Sequence, residues 1–487
     1  MNTLRANSVT KQSVQFKVLN DGQCREIVHA AFRVLERTGC TVHHEEALKL
    51  LQDAGCNVDG NRVRIPTHLL EKAIRTAPTQ ITIYDREGNP ALHLGAASGK
   101  SHFIAGMENQ YLIDTDTGEK RLTTKQDVAN VGKVIDALPN VDVACGLACI
   151  SDCTPQMADV YEARILLENT TKPIIVWNFD LDGIKTQVEM CAAVAGGMDK
   201  FLAKPFILAG GAASTPLAHS EDALDKMLYM FKLGLPGPYV AATMLGGTAP
   251  ATLAGSFVMG LADTLVGLLL SQLTNEGCPF IATTYTDILD MKSMAFCLTG
   301  PEVALGQAAT ADIFRYLDLP FSVHLGVTDS PVFDQQAAFD IGVQIYTGIL
   351  SGANLNMFLG YLETAMSASL ECLVFGDEVI GYCRRIVEGI EVSAETLAEE
   401  AINNVGPNGN FLGEEHTMNH FKERWVPTNF IRTTYEKWAD DGGKDLKVRA
   451  HEKVKNILAQ EIRKPLAPEV LAELDAIVAE AEKRYQK

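Results

Sequence analysis

Residues able to bind and orient a small molecule occur in the stretch PFSVHLGVTDSPVFD, residues 320–334. Apolar side chains alternate there with small or polar ones, a strand spacing that puts His324 on the polar row. In a parallel barrel the apolar row faces the surrounding helices and the polar row faces inward. The sequence therefore predicts His324 at the inner mouth of a barrel, with Asp329 in the following loop. The alternative is that His324 is a core residue whose hydrogen bonds are all made within the protein.

Aromatic residues recur where the other predicted strands end. Several rings around one mouth could hold a cation over their faces, at about 0.5–2 kcal/mol per desolvated ring. The alternative is that each ring packs its own loop. These rings are Trp177, Phe179, Tyr285, Phe333, Phe358 and Tyr361. Asn354 and Asn356 share the strand parity of Phe358 and are predicted to point inward as hydrogen-bonding amides.

Carboxylates are also frequent at the predicted strand ends, and no pair has a spacing that requires general acid–base catalysis. An acidic mouth suits a positively charged substrate. Asp329 and Asp334 have a plainer interpretation as caps of the loop and of the next helix. The acids are Glu108, Asp152, Asp180, Asp287, Asp290, Asp329, Asp334 and Glu363.

The cysteines argue for a reducing compartment and against a metal centre. The chain has 11 cysteines, and its first 12 residues contain no apolar run of the signal-peptide type, so we expect a cytoplasmic protein with free thiols. Cys145, Cys149 and Cys153 are spaced by four, which could suggest a metal or corrinoid contact. Cys145 lies in a predicted strand, however, so the spacing is not one helical face, and we predict no metal site.

Charge and hydropathy exclude two classes of partner. A net charge of −19 over 487 residues argues against nucleic acid and against an anionic membrane surface, which both require clustered basic residues. Residues 253–273 form the most membrane-like run, but they include Asp263 and several small residues. We therefore predict a buried helix packed against a barrel, and no membrane span.

The order of predicted elements indicates three regions. Residues 1–100 are predicted to form a helical cap with a short β-hairpin, residues 101–390 a (β/α)₈ barrel, and residues 391–487 a helical extension. About eight strand–helix units with glycine or small polar residues at many strand ends favour the TIM barrel. The alternative, an open doubly wound sheet, lacks a GxGxxG loop after its first strand. Within the extension, GPNGNFLGEEHT is a candidate lid loop and the last helix is expected to pack on the body.

Three stretches resemble the trimethylamine methyltransferase family: GGTAPATLAGS after the fifth strand, VTDSPVFDQQAAFDIG after the seventh, and NLNMFLGYLETAMSASLECLVFGDEVIG after the eighth. The similarity extends over nearly the whole chain. The resemblance implies a TIM barrel that passes a methyl group from a methylamine to cob(I)alamin held by a separate corrinoid protein. One branch of the family carries pyrrolysine near the barrel mouth. This chain has only standard residues and resembles the branch that lacks it, whose members demethylate quaternary amines such as glycine betaine.

The chemistry of a quaternary amine is consistent with this resemblance. The positive nitrogen already activates its methyl group, so the protein needs to supply only orientation, desolvation and a clear approach for cobalt. We expect the ammonium-binding rings among Trp177, Phe179, Tyr285, Phe333 and Tyr361. His324 and Asn356 are expected to hydrogen-bond the substrate carboxylate. Gly246, Gly247, Thr248 and Asp329 are expected to face the corrinoid.

Two other functions remain open from the sequence. One is a zinc-dependent barrel methyltransferase or decarboxylase that uses Cys145, Cys149 or His324. The other is a betaine-binding protein without turnover. Whatever its function, a large acidic barrel with flanking helices is expected to form a homo-oligomer.

Overall fold

The computed structural model describes residues 11–12, 14–462 and 464–485. The expectation that the chain starts without a signal-like run concerns mainly residues 1–10, which lie outside the described residues.

Eight parallel strand positions form a closed ring at the centre of the molecule. In chain order they are His102–Ala105, residues 143–144, Ile174–Ile175, Ile207–Leu208 continued by Gly211–Ala212, Pro238–Leu245, Ile281–Asp290, Phe321–His324 and Leu355–Leu359. The eighth strand pairs in parallel with the first, through Leu355 beside His102, and bridges at residues 143 and 144 complete the ring. The predicted TIM barrel is thereby confirmed, and the open sheet is excluded because its edge strands would not meet.

A helix follows each barrel strand and covers the outside of the ring. These helices are Lys125–Ala137, Ala158–Asn169, Leu181–Ala195, Glu221–Leu233, Leu253–Thr274, Pro301–Leu317, Gln335–Ser351 and Leu370–Val387, with a short helix Met198–Ala203 after the third. Local sequence sets several boundaries. The Asp334 side chain accepts from the Ala337 backbone N–H, as predicted for a cap, and Gly352 ends the same helix with a left-handed φ of 73°.

The helix Leu253–Thr274 is long and apolar enough to cross a membrane, but 78% of its most apolar window is buried inside the fold. It packs on the fifth and sixth barrel strands and on the N-terminal helix Asp21–Arg37. Gly260 and Gly267 permit this approach, because a Cβ atom at either position would overlap a strand side chain. The prediction of a buried helix is confirmed.

The N-terminal region closes one end of the barrel. Its elements before the barrel are the helices Asp21–Arg37, Glu45–Asp53 and Thr67–Thr76, the strands Cys40–Val42, Asn57–Asp59 and Arg62–Arg64, and the hairpin Ile81–Tyr84 with Pro90–Leu94. Ile83 and Leu92 of the hairpin share one buried cluster with Ile281 and Leu355, which begin barrel strands. The hairpin therefore plugs the N-terminal end of the barrel and leaves the opposite end for a site.

Short strands build a rim around the C-terminal end of the barrel. Tyr361–Leu362, Ser367–Ala368, Tyr111–Ile113 and Lys120–Leu122 form a four-stranded sheet next to the first and eighth strands. Ala295–Cys297 pairs with the extended end of the sixth strand.

The C-terminal region packs onto the barrel helices. It contains Ala394–Leu397, Glu399–Val405, Glu415–His420, Tyr435–Asp440, Leu446–Leu458 and Pro468–Tyr485. The last of these contacts Leu181–Ala195 and Ala158–Asn169. The expectation that the final helix packs on the body is confirmed.

Candidate active site

The direction of each strand residue follows from two separate apolar clusters. Phe321 and Val323 belong to the cluster between strands and helices. Ser322 and His324 lie on the other face, where the Ser322 hydroxyl is 2.6 Å from the Thr283 hydroxyl on the neighbouring strand. The predicted inward orientation of His324 is therefore confirmed.

The eighth strand has the opposite parity from the one predicted. Met357 belongs to the interior cluster and lies beside His324 in the parallel register. The Asn356 amide instead donates to the His102 backbone carbonyl at 3.0 Å. The prediction that Asn356 points into the cavity was wrong, because the pairing register, which the sequence does not reveal, fixes which row faces inward.

A bulge turns Phe358 back toward the interior. The register shifts between Asn356 and Leu359, and Phe358 has a φ of 80°, a left-handed value that bulky residues rarely adopt. Its ring consequently packs on Tyr285 and on His324, with centroids 5.5 Å away in both cases.

Four rings thus meet at the C-terminal mouth of the barrel, and we call Tyr285, His324, Phe358 and Tyr361 the mouth cluster. Tyr285 meets His324 edge-on at 5.1 Å, and Phe358 stacks on Tyr361 at 5.1 Å. The Tyr361 hydroxyl donates to the Met107 carbonyl, which fixes its ring over the end of the first strand. Two predicted residues, Tyr285 and Tyr361, are brought together with His324.

An aspartate orients the histidine of the mouth cluster. The His324 Nε2–H donates to an Asp287 carboxylate oxygen at 2.5 Å, and both side chains are buried. His324 Nδ1 is also buried and has no hydrogen-bond partner among the described residues. A buried ring nitrogen of this kind requires a partner, and a bound ligand would provide one.

A second group of acids lies beside the mouth cluster. Glu108 follows the first strand and is solvent-accessible, yet burial, together with the charge of Glu162, raises the pKa of its carboxyl to about 8. The Tyr361 hydroxyl donates to the carbonyl of Met107, the residue before Glu108, and the pKa values of Tyr285 and Tyr361 are raised by burial and further by the Glu108 charge.

Two carboxylates behind Glu108 come from the helix Ala158–Asn169. Glu162 accepts from the Gly146 N–H at 2.8 Å, and burial raises its pKa to about 7. Burial likewise raises the pKa of Asp159 to about 6. Sequence reasoning missed both, because nothing in a helical pattern indicates which polar residues turn toward a strand end.

The remaining predicted rings differ in position. Trp177 continues the inward row of Ile175 and is half-buried beside Gly210, whose Cβ would lie 3.2 Å from the indole. Phe179 is 46% exposed. Phe333 packs on Phe375 in the outer cluster at a centroid distance of 5.3 Å. The expectation that Phe333 joins the ammonium-binding rings was wrong, because the loop after the seventh strand folds its ring outward.

The residues expected to face the corrinoid lie on the rim. Gly246 and Gly247 form an exposed turn after the fifth strand, and the Thr248 hydroxyl accepts from the Met244 N–H at 3.0 Å. The strand residue Ala242 is exposed as well, and the side chains of Met244 and Met291 lie beside the two glycines. The Asp329 carboxylate accepts from the Leu298 N–H at 3.0 Å and the Thr299 hydroxyl at 2.6 Å, so it also braces two rim loops.

The cysteines near the barrel are poorly suited to bind a metal. Burial raises the pKa of the Cys145 thiol well above its ordinary value and that of Cys149 to about 12, which disfavours the thiolate. Within the described residues, a metal-capable group of three occurs at Glu395, His416 and His420, which is outside the barrel.

Comparisons with known proteins identify the family of this chain. The family model described as Trimethylamine methyltransferase (MTTB) matches residues 1–485. The chain is 32% identical to a trimethylamine methyltransferase of Desulfitobacterium hafniense, over 96% of this chain and 94% of that one. It is 28% identical to a glycine betaine methyltransferase from another strain of that species, covering 96% of this chain and 97% of the relative.

A solved structure supports the same fold. The monomethylamine methyltransferase of Methanosarcina barkeri superposes with a TM-score of 0.55 at 12% identity, over 96% of this chain and 88% of the other. The family match covers almost the full length of the chain, and the fold agrees with it. The chain therefore belongs to the trimethylamine methyltransferase family and is a methyltransferase.

Proposed function

We propose that the protein transfers a methyl group from a quaternary amine, glycine betaine or a related betaine, to cob(I)alamin carried by a separate corrinoid protein. The observation that carries the proposal is the mouth cluster, in which four rings have centroids 5.1–5.5 Å apart and the buried Asp287 carboxylate bonds to His324. Such a site suits a large, soft cation that cannot donate a hydrogen bond.

The charges around the mouth favour a cation in the same place. Asp287 and Glu108 both lie next to the rings, and neither has an arginine or lysine partner within salt-bridge distance among the described pairs. In a cleft of low effective dielectric, the negative charge that these carboxyl groups carry when ionised acts on a quaternary nitrogen more strongly than it would in water. The rings would remove water from the ammonium, and the carboxylates would compensate its positive charge.

His324 is the residue best suited to the far end of a betaine. Asp287 accepts from its Nε2–H, and the buried, unpartnered Nδ1 is the ring atom left to contact the substrate. Asn356, which bonds to backbone carbonyls, has no part in this proposal.

The reaction needs no proton from the protein. The cobalamin, a second substrate, supplies an electron pair to the methyl carbon, while the C–N pair leaves with nitrogen as a neutral tertiary amine. The chain has to hold the ammonium, exclude water and keep one methyl group toward the opening. The small, exposed residues Ala242, Gly246 and Gly247 at this rim suit the approach of a flat macrocycle.

We further propose that this reaction takes place in the cytoplasm. The cysteines of the chain are all free in the structure, in keeping with a reducing compartment. The net charge of −19 favours a small cationic substrate over nucleic acid or an anionic lipid surface.

A panel of amines tests the substrate class. Glycine betaine, proline betaine, carnitine, butyrobetaine and trimethylamine would each be titrated calorimetrically and then assayed with cob(I)alamin by its absorbance change on methylation. We expect at least one betaine to bind and to react faster than trimethylamine. Turnover of trimethylamine alone would overturn the quaternary-amine assignment, and binding without methyl transfer, with free or protein-bound corrinoid, would leave only a betaine-binding protein.

A further inference from the structure

Two histidines share one face of a short helix in the C-terminal region. The helix Glu415–His420 carries His416 and His420 four residues apart, and their ring centroids are 4.3 Å from each other. Both side chains are half-buried, while Glu415, Met418 and Asn419 of the same helix are exposed. A spacing of four on a helix is one that places two imidazoles on a common metal ion.

A carboxylate from a second helix faces these rings. Glu395 belongs to the helix Ala394–Leu397, and its Oε1 atom is 3.2 Å from His420 Nε2. One ligand atom from each of Glu395, His416 and His420 lies within 4.8 Å of the other two. To bind one metal ion, the three ligand atoms would have to move only slightly closer together, because each metal–ligand bond is about 2.0–2.2 Å long.

A further carboxylate orients one of the rings. The His420 Nδ1–H donates to Glu423 at 2.8 Å, which directs Nε2 toward Glu395. Carboxylate–histidine–metal arrangements fix the tautomer and ring orientation of ligating histidines in this way. Without an ion, the same geometry would be a protonated His420 between the Glu395 and Glu423 carboxylates. Titration with zinc distinguishes this ion-pair arrangement from a metal site.

The surroundings are strongly acidic. A surface cavity of about 630 Å³ adjoins the cluster. Its carboxylates are Glu395, Glu399, Glu400, Glu414 and Glu415. Their summed negative potential concentrates cations at the cavity.

From this geometry we propose that Glu395, His416 and His420 bind a divalent transition-metal ion of the zinc class, away from the barrel mouth. Two imidazoles and one carboxylate favour such an ion over magnesium or calcium, which prefer oxygen ligands alone. The ion joins the helix Ala394–Leu397 to the helix Glu415–His420. It thereby closes the glycine-rich residues 406–413 into a loop, and its role is structural.

The test uses full-length protein without a histidine tag, stripped with a chelator. Titration with ZnCl₂ is expected to show one tight equivalent, CoCl₂ to give the visible bands of a nitrogen-ligated ion, and MgCl₂ to give no tight binding. His416→Ala and His420→Ala are each expected to weaken zinc binding more than about 100-fold, and Glu423→Gln about 10–100-fold. The matched control is His68→Ala, which removes an exposed histidine on another helix and should leave the affinity unchanged.

Three results would overturn the proposal. These are no stoichiometric zinc binding at micromolar concentration, a His416→Ala/His420→Ala double variant that binds zinc like the parent, and a cobalt spectrum of the hydrated ion. Circular dichroism of each variant establishes that it is folded. The result is independent of the proposed substrate, because the methyl-transfer assay does not enter the readout.

Discussion

Phe358 illustrates how one backbone distortion builds the mouth cluster. Its φ of 80° carries a strain cost of about 1–3 kcal/mol for a bulky residue. The ring that this conformation directs inward stacks on His324 and on Tyr361, and both contacts offset the strain. Without the bulge, the regular alternation of the strand would direct Phe358 outward, and the two halves of the cluster would not meet.

Removal of a ring from the mouth cluster should weaken binding of the quaternary amine. For Tyr285→Leu and Phe358→Leu we expect the Kd of the preferred betaine to rise roughly 3–30-fold, the equivalent of about 0.5–2 kcal/mol per ring. Isothermal titration calorimetry measures this change directly.

Phe333→Leu is the matched control for these variants. Phe333 is also a buried phenylalanine after a barrel strand, but its ring packs on Phe375 outside the cavity. Its Kd should equal that of the wild type. If Phe333→Leu weakened binding as much as Tyr285→Leu did, the ammonium would not lie at the mouth cluster.

The Glu108 carboxyl should make binding of the cation dependent on pH. Burial and the Glu162 charge raise its pKa to about 8, so it is largely protonated at pH 6 and ionised at pH 9. A quaternary ammonium does not titrate, so betaine affinity should rise as the pH rises through this range. In Glu108→Gln the rise should be smaller, and calorimetric titrations at pH 6, 7.5 and 9 compare the two proteins. An identical pH profile in the variant would remove Glu108 from the cation site.

At the scale of elements, the end of the first strand and the rim sheet depend on a glycine. A Cβ atom at Gly106 would overlap the Tyr361 ring. Gly106→Ala should therefore displace Tyr361 from Phe358 and from the Met107 carbonyl, and it should lower kcat/KM more than 10-fold in the methyl-transfer assay, as expected for a misplaced positioning group.

Gly342→Ala is the control for backbone substitution. Gly342 lies within the helix Gln335–Ser351, and a Cβ atom there meets nothing within 4 Å. We expect this variant to retain activity and to gain about 0.5–1 kcal/mol in free energy of unfolding from helix propensity. Full activity in Gly106→Ala would show that the position of Tyr361 does not matter.

At the scale of the whole molecule, a buried polar group joins the N-terminal sheet, the long apolar helix and the barrel. His219 lies in a strand beside Val42, and its Nδ1 is 2.7 Å from the hydroxyl of Tyr239 on the fifth barrel strand. Asp263 of the helix Leu253–Thr274 is 3.9 Å from His219 Nε2. Burial lowers the pKa of His219 to about 3 and raises that of Asp263 to about 7. The ionised aspartate therefore opposes folding.

Asp263→Asn should change the pH dependence of stability. A carboxyl whose pKa is raised on folding stabilises the folded state at low pH, and this contribution is lost as the pH rises toward 7. Between pH 5 and pH 8 the variant should gain roughly 3 kcal/mol in free energy of unfolding relative to the wild type. Urea denaturation at both pH values measures the difference.

Asp199→Asn, an exposed aspartate in a short helix, controls for the loss of one negative charge. Its stability relative to the wild type should be the same at both pH values. If Asp263→Asn showed no larger gain at pH 8 than at pH 5, Asp263 would already be ionised without cost in the folded wild type.

The strand and helix pattern predicted the architecture because each barrel unit carries its own local signals. Apolar alternation, Asp334 as a helix cap and Gly352 as a helix end are all properties of neighbouring residues. The inward position of His324 also follows from alternation in an undistorted strand. Asn356 departed from the same argument, because the pairing register turns its row outward, and only the bulge restores the inward position of Phe358.

The sequence by itself determined the closed barrel, the buried apolar helix, the inward histidine and the family, since these depend on periodicity and on motifs along the chain. Only the tertiary structure decided that Phe358 enters the mouth, that Phe333 leaves it, and that Glu162 reaches it from a helix. It also brought Glu395 to two histidines in the C-terminal region. The physical reason is that strand register, bulges and helix rotation are set by contacts between residues far apart in the chain, and a local pattern carries no record of those contacts.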